Sequence, residues 1–432
     1  MRIRSLLVVL GVAAAAFLPA LSAQTEMALR AGDGLQWYKG NTHCHTLWSD
    51  GDMAPELLVG WYKHHGYDFL CLSDHNIMND GSAARYMPVH ADTYVTAERV
   101  AEIKTSFGDK WVEEKEINGR TYMKLKALPE LKAHFESPGE FVLIPGEEVT
   151  GFVPGLHLNA LNTRELIWPG HEVPMVQAIQ MAVDQVAAQS ERYGVPMLVH
   201  LNHPNFDAGV RAEDIAAVRE ERFFEVYNGH PAVYNAGREE QQRVSCDRLW
   251  DIALTLRLDA GPGAVLYGLA TDDTHEYYEW KPGNSNAGRG WIMVLAKELE
   301  TNTLIEAMQD GHFYATTGVL LGEVAYNAEQ YEVRIQEEAG VTYTTRFIGT
   351  RKGFDRTATP RADADGKELT NVTAKYSEDI GEVLLETTDN PAVYRFQGDE
   401  LYVRAHIVSS KLKDNVPLEG EKEQAWTQPA TR

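Results

Sequence analysis

Between about Gly34 and Gly322 the chain alternates short apolar runs of strand length with longer segments whose apolar positions recur every three or four residues. The strand-length runs are Trp37 to His45, Asp68 to Ser73, Phe141 to Pro145, Leu156 to Leu161, Val195 to Leu201, Phe223 to Tyr227, Ala264 to Ala270 and Trp291 to Ala296. Helical periodicity covers Pro55 to His65, Met175 to Arg192, Glu239 to Leu256 and Thr303 to Gln309. The order therefore reads strand, helix, strand through most of this stretch. Such alternation predicts an α/β fold of parallel strands joined by helices, closed as a barrel.

Two departures divide the chain. Residues Asn79 to Glu140 interrupt the rhythm between the second and third strands, and the charge run Glu113 to Glu116 predicts a solvated helical face or excursion. After Gly322 the pattern changes to strict alternation, as in Tyr331 to Ile335, Val341 to Phe347 and Glu400 to Val408. That period predicts a smaller all-β unit. Lys411 to Arg432 reads as a loop and tail, with Trp426 as its anchor. The expected organisation is a leader at 1–23, a barrel at 24–322 with an insertion at 79–140, and a β-rich C-terminal domain at 323–432.

The length of 432 residues suits this division, and a hydrophobic fraction of 44% with 24% charged residues is that of a chain that folds. A formal charge of -23 opposes nonspecific binding to nucleic acid or anionic lipid, which need a basic surface. Arg2 and Arg4 precede an apolar run from Leu6 to Leu18 and then Ala-Leu-Ser-Ala ending at Ala23. The run is too short to span a bilayer, so it reads as a cleaved signal peptide and predicts a periplasmic or secreted protein with no membrane contact afterwards. Cys44, Cys71 and Cys246 cannot all pair and are expected as free, buried thiols. Oligomeric state is not legible in these features.

Histidines and carboxylates stand within or just after nearly every strand. In a strand, side chains two apart share a face, so His43 and His45 point together and Cys44 points away. Asp273 and His275 repeat this spacing after a later strand. Between them come Asp74 and His75, Glu147 and Glu148, His157, and His200 and His203. Adjacent residues face opposite ways, so one of Glu147 and Glu148 reaches the centre. Of the pair at 74–75, His75 is expected as a ligand and Asp74 as its orienting neighbour. Such groups are costly to bury unless paired or bound to an ion, and their repetition at one barrel mouth favours a shared metal site. The Gly- and Asn-rich loop from Glu276 to Trp291 offers Lys281 or Arg289 as a phosphate clamp, with Arg289 favoured. His230 follows a strand end. His64, His65, His90, His134, His171, His312 and His406 read as surface or satisfied core residues.

Taken in order, several pieces resemble the polymerase-and-histidinol-phosphatase (PHP) metallohydrolases. They are His43-Cys44-His45, Ser49-Asp50-Gly51, Ser73-Asp74-His75-Asn76, Gly146 to Thr150, Leu156 to Leu161, Asn202-His203-Pro204, Glu225 to Gly229 and Asp273-Thr274-His275. The arrangement is most similar to the carbaryl-hydrolase-like branch, where Tyr314 to Gly318 also has a counterpart. The resemblance spans roughly residues 38–320. It implies a distorted seven-stranded β/α (TIM-like) barrel and a ligand set of His43, His45, Glu148 and Asp273 for one ion. Glu148 would bridge to a second ion held with His157 and His203. Asp50, His75 and His275 would hold a third or face the substrate.

Six imidazoles and three carboxylates without a thiolate suit two or three divalent ions such as Zn, Mn or Fe. Ions sharing Glu148 would hold water as hydroxide for attack on a phosphoryl group, with Asp273 orienting that water or taking its proton and His275 assisting the leaving oxygen. The expected catalytic residues are therefore Asp273, His275 and Arg289. The function implied is an exported metal-dependent phosphoesterase acting on a small-molecule phosphomonoester or phosphodiester. A carbamate or carboxylic ester hydrolase using the same ions is the alternative. A noncatalytic secreted binding protein is disfavoured by the complete ligand set, and an amidohydrolase barrel by a bridging glutamate where a lysine is usual.

Overall fold

A computed structural model describes residues 26–206, 209–261 and 265–431; the leader expected at 1–23 lies outside the described residues. The chain opens with β1 (Met27–Arg30), β2 (Gln36–Asn41), α1 (Pro55–His64) and β3 (Phe69–Leu72). Then come β4 (Tyr86–Pro88), α2 (Ala97–Phe107), β5 (Glu114–Ile117), β6 (Arg120–Lys124) and α3 (Leu128–Phe135). The next stretch holds β7 (Val142–Val149), β8 (Leu158–Leu161), α4 (Met175–Tyr193), β9 (Leu198–Leu201), α5 (Ala212–Ala217), β10 (Phe223–Asn228) and α6 (Cys246–Asp259). It continues through β11 (Tyr267–Thr271), β12 (Trp291–Ala296), α7 (Thr301–Gln309) and β13 (Phe313–Thr316). The rest is strand: β14 (Leu321–Tyr326), β15 (Gln330–Ile335), β16 (Tyr343–Arg351), β17 (Ala358–Thr359), β18 (Lys375–Tyr376), β19 (Glu382–Thr387), β20 (Ala392–Arg395), β21 (Glu400–Leu412), β22 (Lys422–Thr427) and β23 (Ala430–Thr431).

The fold is mixed α/β around one large sheet, in the order β11-β10-β9-β8-β7-β3-β2-β12-β13-β22-β21-β16-β19. The pairs β2/β3, β3/β7, β9/β10 and β10/β11 are parallel, as the alternation predicts. β8 departs from this and runs antiparallel to both β7 and β9. Only Thr150 to His157 separate β7 from β8, too few residues for a crossover helix, so the chain turns straight back. Past the ends of β2 and β11, His45 N donates to Thr274 O and Asp273 N to His43 O, each at 3.0 Å. These bonds bring the two outer members of the seven-strand run together at the end where the histidines stand.

The helices follow the periodicity with one correction. Glu239–Gln241 forms a short 3-10 turn, and α6 begins only at Cys246, where Ser245 caps it by accepting from Arg248 N. The insertion is also not the helical face its charge run suggests. β4, β6 and β5 form an antiparallel sheet, and Asn118-Gly119, both at positive φ, make the two-residue turn between β5 and β6. Glu114 and Glu116 lie on the edge strand β5, and Glu113 immediately precedes it.

The C-terminal strands alternate as expected but do not stand alone. β22 pairs with both β13 and β21, and β1 with β14, so strands on either side of residue 322 share sheets. The tail expected as a loop is therefore partly strand, with Trp426 buried and its indole N–H directed at Asp247.

Candidate metal centre

The candidate ligands gather at one end of the parallel strands. His43 and His45 follow β2, His75 follows β3, Glu148 lies in β7, His157 precedes β8, His203 follows β9, and Asp273 and His275 follow β11. Asp50 enters from the loop after His45. That loop folds back on its own strand, with Gly51 N donating to Thr46 O at 3.0 Å. A Cβ at Gly51 would stand 2.5 Å from the His45 carbonyl oxygen, so only glycine permits the turn.

Three overlapping groups of ligand atoms result, each with its atoms within 4.8 Å of one another: His43, His45, Glu148 and Asp273; Glu148, His157 and His203; and His45, Asp50, His75 and His275. Glu148 joins the first two by splitting its oxygens. Oε2 lies 3.3 Å from His43 Nε2 and 3.1 Å from His45 Nε2, whereas Oε1 lies 3.0 Å from His157 Nδ1 and 3.4 Å from His203 Nε2. Asp273 Oδ1 lies 3.1 Å from His43 Nε2 and 3.2 Å from His45 Nε2.

His43 Nε2, His45 Nε2 and Glu148 Oε2 are buried and, despite these short separations, make no hydrogen bond. Buried polar atoms are normally satisfied. Atoms that converge on one point without aligning on each other fit a shared cation, and the donor set of imidazoles and carboxylates suits a borderline or hard divalent ion.

Outer contacts orient these ligands. Glu225 Oε1 accepts from His43 Nδ1 at 2.7 Å, which leaves the Nε2 lone pair facing the cluster. The Asp273 carbonyl accepts from His275 Nδ1 at 3.0 Å with the same effect. Asn202 donates to Glu148 Oε1 at 2.9 Å, and Asn228 donates to Asp273 Oδ2 at 3.1 Å and Glu225 Oε2 at 2.8 Å. Glu225, Asn202 and Asn228 had no assigned role in the sequence reading, although a glutamate in the middle of the apolar run Phe223 to Tyr227 already demanded a buried partner.

The charge pattern matches this geometry. Burial opposes protonation of His43, yet Asp273, Glu148 and Glu225 raise its pKa well above the usual histidine range. Burial likewise opposes the charge of Glu148 and of Asp273, but the surrounding histidines hold both carboxylates well below their usual range. Burial, with help from His43 and His203, lowers His200 to about 4 in spite of Glu225 and Glu148. Glu147 is pushed up to about 7 by burial, facing away from the cluster to accept from Ile167 N.

Of the open pairs, the structure brings Glu148 and His203 to the cluster and leaves Glu147 and His200 outside all three groups. Two expectations need correction. Asp74 does not orient His75; its carboxylate accepts from Thr46 N, Thr46 Oγ1 and Ser49 Oγ and shapes the loop that carries Asp50. Arg289 does not reach the site. It is fully buried, and its guanidinium donates to the carbonyls of Gly229, Lys281, Asn284 and Val416 and to the side chains of Asn286 and Asn415. A donor set consumed by the protein cannot clamp a phosphate. Lys281 is likewise absent from the cavity wall and pairs with Glu279 at 2.8 Å.

The cavity over the clusters has a volume of about 170 Å³ and is lined by Asp50, His75, Glu148, His157, His203, Phe206, His230, Asp273 and His275. His64, His65, His90, His134, His171, His312 and His406 stay off it. The three cysteines are free and buried, and Cys44 turns its thiol toward the Cys71 carbonyl, away from the ligands.

No family model and no curated protein matches the chain. Among solved structures, one similar chain is a two-domain protein containing a predicted PHP-like metal-dependent phosphoesterase from Bacteroides vulgatus ATCC 8482. Identity is 14% over 92% of this chain and 96% of that one, with a TM-score of 0.39. Another, provisionally described as a metal-dependent phosphoesterase of Bifidobacterium adolescentis ATCC 15703, is 14% identical over 55% of this chain and 87% of that one, with a TM-score of 0.27. At these values neither assigns a role to any residue here.

Proposed function

We propose that the chain is an exported metal-dependent phosphoesterase of the PHP type, acting on a small-molecule phosphate monoester or diester in the periplasm or outside the cell. In this reading β2, β3 and β7 to β11 form a distorted seven-stranded barrel closed through the Cys44 and Thr274 backbone, with the ligands at its mouth. The observation that carries the reading is the division of the Glu148 oxygens between two histidine groups, which is how one carboxylate serves two ions.

His43, His45, Glu148 and Asp273 would hold one ion and Glu148, His157 and His203 a second, with Asp50, His75 and His275 placed for a third beside His45. Bound divalent ions supply Lewis-acid charge to the phosphoryl oxygens and lower the pKa of water. Glu225 and Asn228 keep His43 and Asp273 in register, so the reacting phosphorus meets a prearranged wall. Asp273 has Oδ2 tied to Asn228 and Oδ1 turned inward, which makes it the carboxylate set to take a proton from attacking water. A cavity of about 170 Å³ admits a phosphoryl group but not a whole drug-sized substrate, so the remainder of the ester rests on the rim.

The test is metal-loaded protein offered aryl phosphates, aryl phosphodiesters and aryl carbamates, beside His43→Ala. Phosphate ester cleavage that disappears in His43→Ala is expected. Cleavage of carbamates or carboxylic esters with no phosphate ester turned over would overturn the phosphoesterase assignment.

A further inference from the structure

His230 lines the same cavity but belongs to none of the three ligand groups. Its place is fixed by backbone bonds. Asn228 Oδ1 accepts from His230 N at 2.8 Å, Val233 N donates to the His230 carbonyl at 3.0 Å, and Gly229 N donates to Thr271 O at 2.9 Å. One side chain, Asn228, thus braces both His230 and Asp273.

The ring's tautomer follows from a single contact. Ala232 N donates to His230 Nδ1 at 3.1 Å, and a backbone amide can only donate. Nδ1 therefore carries a lone pair, and the proton of the neutral ring sits on Nε2. A protonated Nε2 cannot ligate a cation, and no group among the described residues accepts from it. The ring stands between Phe206, at a centroid separation of 6.2 Å, and His275, at 5.4 Å. Neither lysine nor arginine lines the cavity. His230 is thus a wall side chain outside the ligand groups whose N–H has no acceptor among the described residues.

We propose that His230 contacts the substrate, donating a hydrogen bond from Nε2 to a phosphoryl oxygen of the bound ester while taking no part in holding metal. This rests on the phosphoesterase reading above and adds a recognition residue to it. The neutral donor binds an oxyanion without adding positive charge beside the ions, and its fixed loop means that no rearrangement precedes binding.

The experiment measures inorganic phosphate binding to the metal-loaded protein by calorimetry, with metal content read by elemental analysis, for wild type, His230→Ala and His230→Gln. Unchanged metal content is expected in both variants, with phosphate affinity down about tenfold in His230→Ala, as loss of one hydrogen bond to a charged group implies. His230→Gln, whose amide can reach the Nε2 position, is expected to recover most of that affinity. Loss of metal in His230→Ala, or equal phosphate affinity in wild type and His230→Ala, overturns the proposal while leaving the phosphoesterase reading standing. Wild-type protein that holds metal yet binds no phosphate overturns the reading and this proposal together.

Discussion

Proton occupancy of the ligand shell sets how the metal-free site behaves. Burial opposes a charge on His75, but Glu148, 3.0 Å away, and Asp50, 3.3 Å away, bring its pKa up to about 10. The direction for His203 and His275 is the same. At neutral pH the His75 ring holds a proton that a cation must expel, so metal affinity should rise as pH climbs toward 10. Calorimetry in two buffers of different ionisation enthalpy should show net proton release on binding, and zero release would contradict the assignment of His75 as a ligand. Glu225→Gln should keep the fold but weaken metal binding about 10- to 100-fold, because the amide offers one acceptor oxygen where the carboxylate accepts from His43 and Thr271 on one oxygen and from His203 N and Asn228 on the other. At this scale two-residue spacing put His43 with His45 and Asp273 with His275, whereas Asp50 and the choice of Glu148 and His203 came from the family resemblance. The sequence could not assign Asp74, whose carboxylate answers to Thr46 and Ser49 through a loop fold that spacing does not encode.

Elements decide which of those side chains can meet. Gly51→Ala forces a Cβ against the His45 carbonyl and should displace Asp50 while leaving the buried clusters alone. Elemental analysis should then show fewer ions per chain if three are bound in wild type, with the tightly held ones retained. Arg289 belongs to the same argument with a different outcome. Arg289→Met strips donors from four buried or half-buried carbonyls and should cost about 3 kcal/mol in denaturant unfolding. A large loss of kcat with unchanged stability would instead restore its role as a phosphate clamp. The parallel strands and long helices were legible because each carries its own period. β8 was legible as a strand but not in direction, and the β5/β6 hairpin hid behind a charge run although Asn118-Gly119 announced its turn. β22 was missed because its partner β13 lies far earlier in the chain, beyond any local pattern.

Across the whole molecule, the C-terminal strands are bolted to the helical side by charge. Arg404 on β21 is fully buried and meets Asp251 of α6 at 2.8 Å and Asp247 at 3.0 Å. Arg404→Ala leaves two carboxylates without their cation and should cost about 3–5 kcal/mol, with unfolding still a single transition if the shared sheet binds both parts. Calorimetry showing a separate early transition would argue for independent units. A last consequence follows from the segment just before β22. Asn415 and Val416 hold Arg289, Arg289 holds the loop at Lys281 to Asn286, and Ser285 of that loop accepts from His275 N at 3.0 Å and donates to the Asp273 carbonyl. On the ribosome the ligands emerge from His43 onward, yet the contacts that brace the last two wait for residue 416. The nascent chain thus carries the ligands before the last of the contacts that brace them.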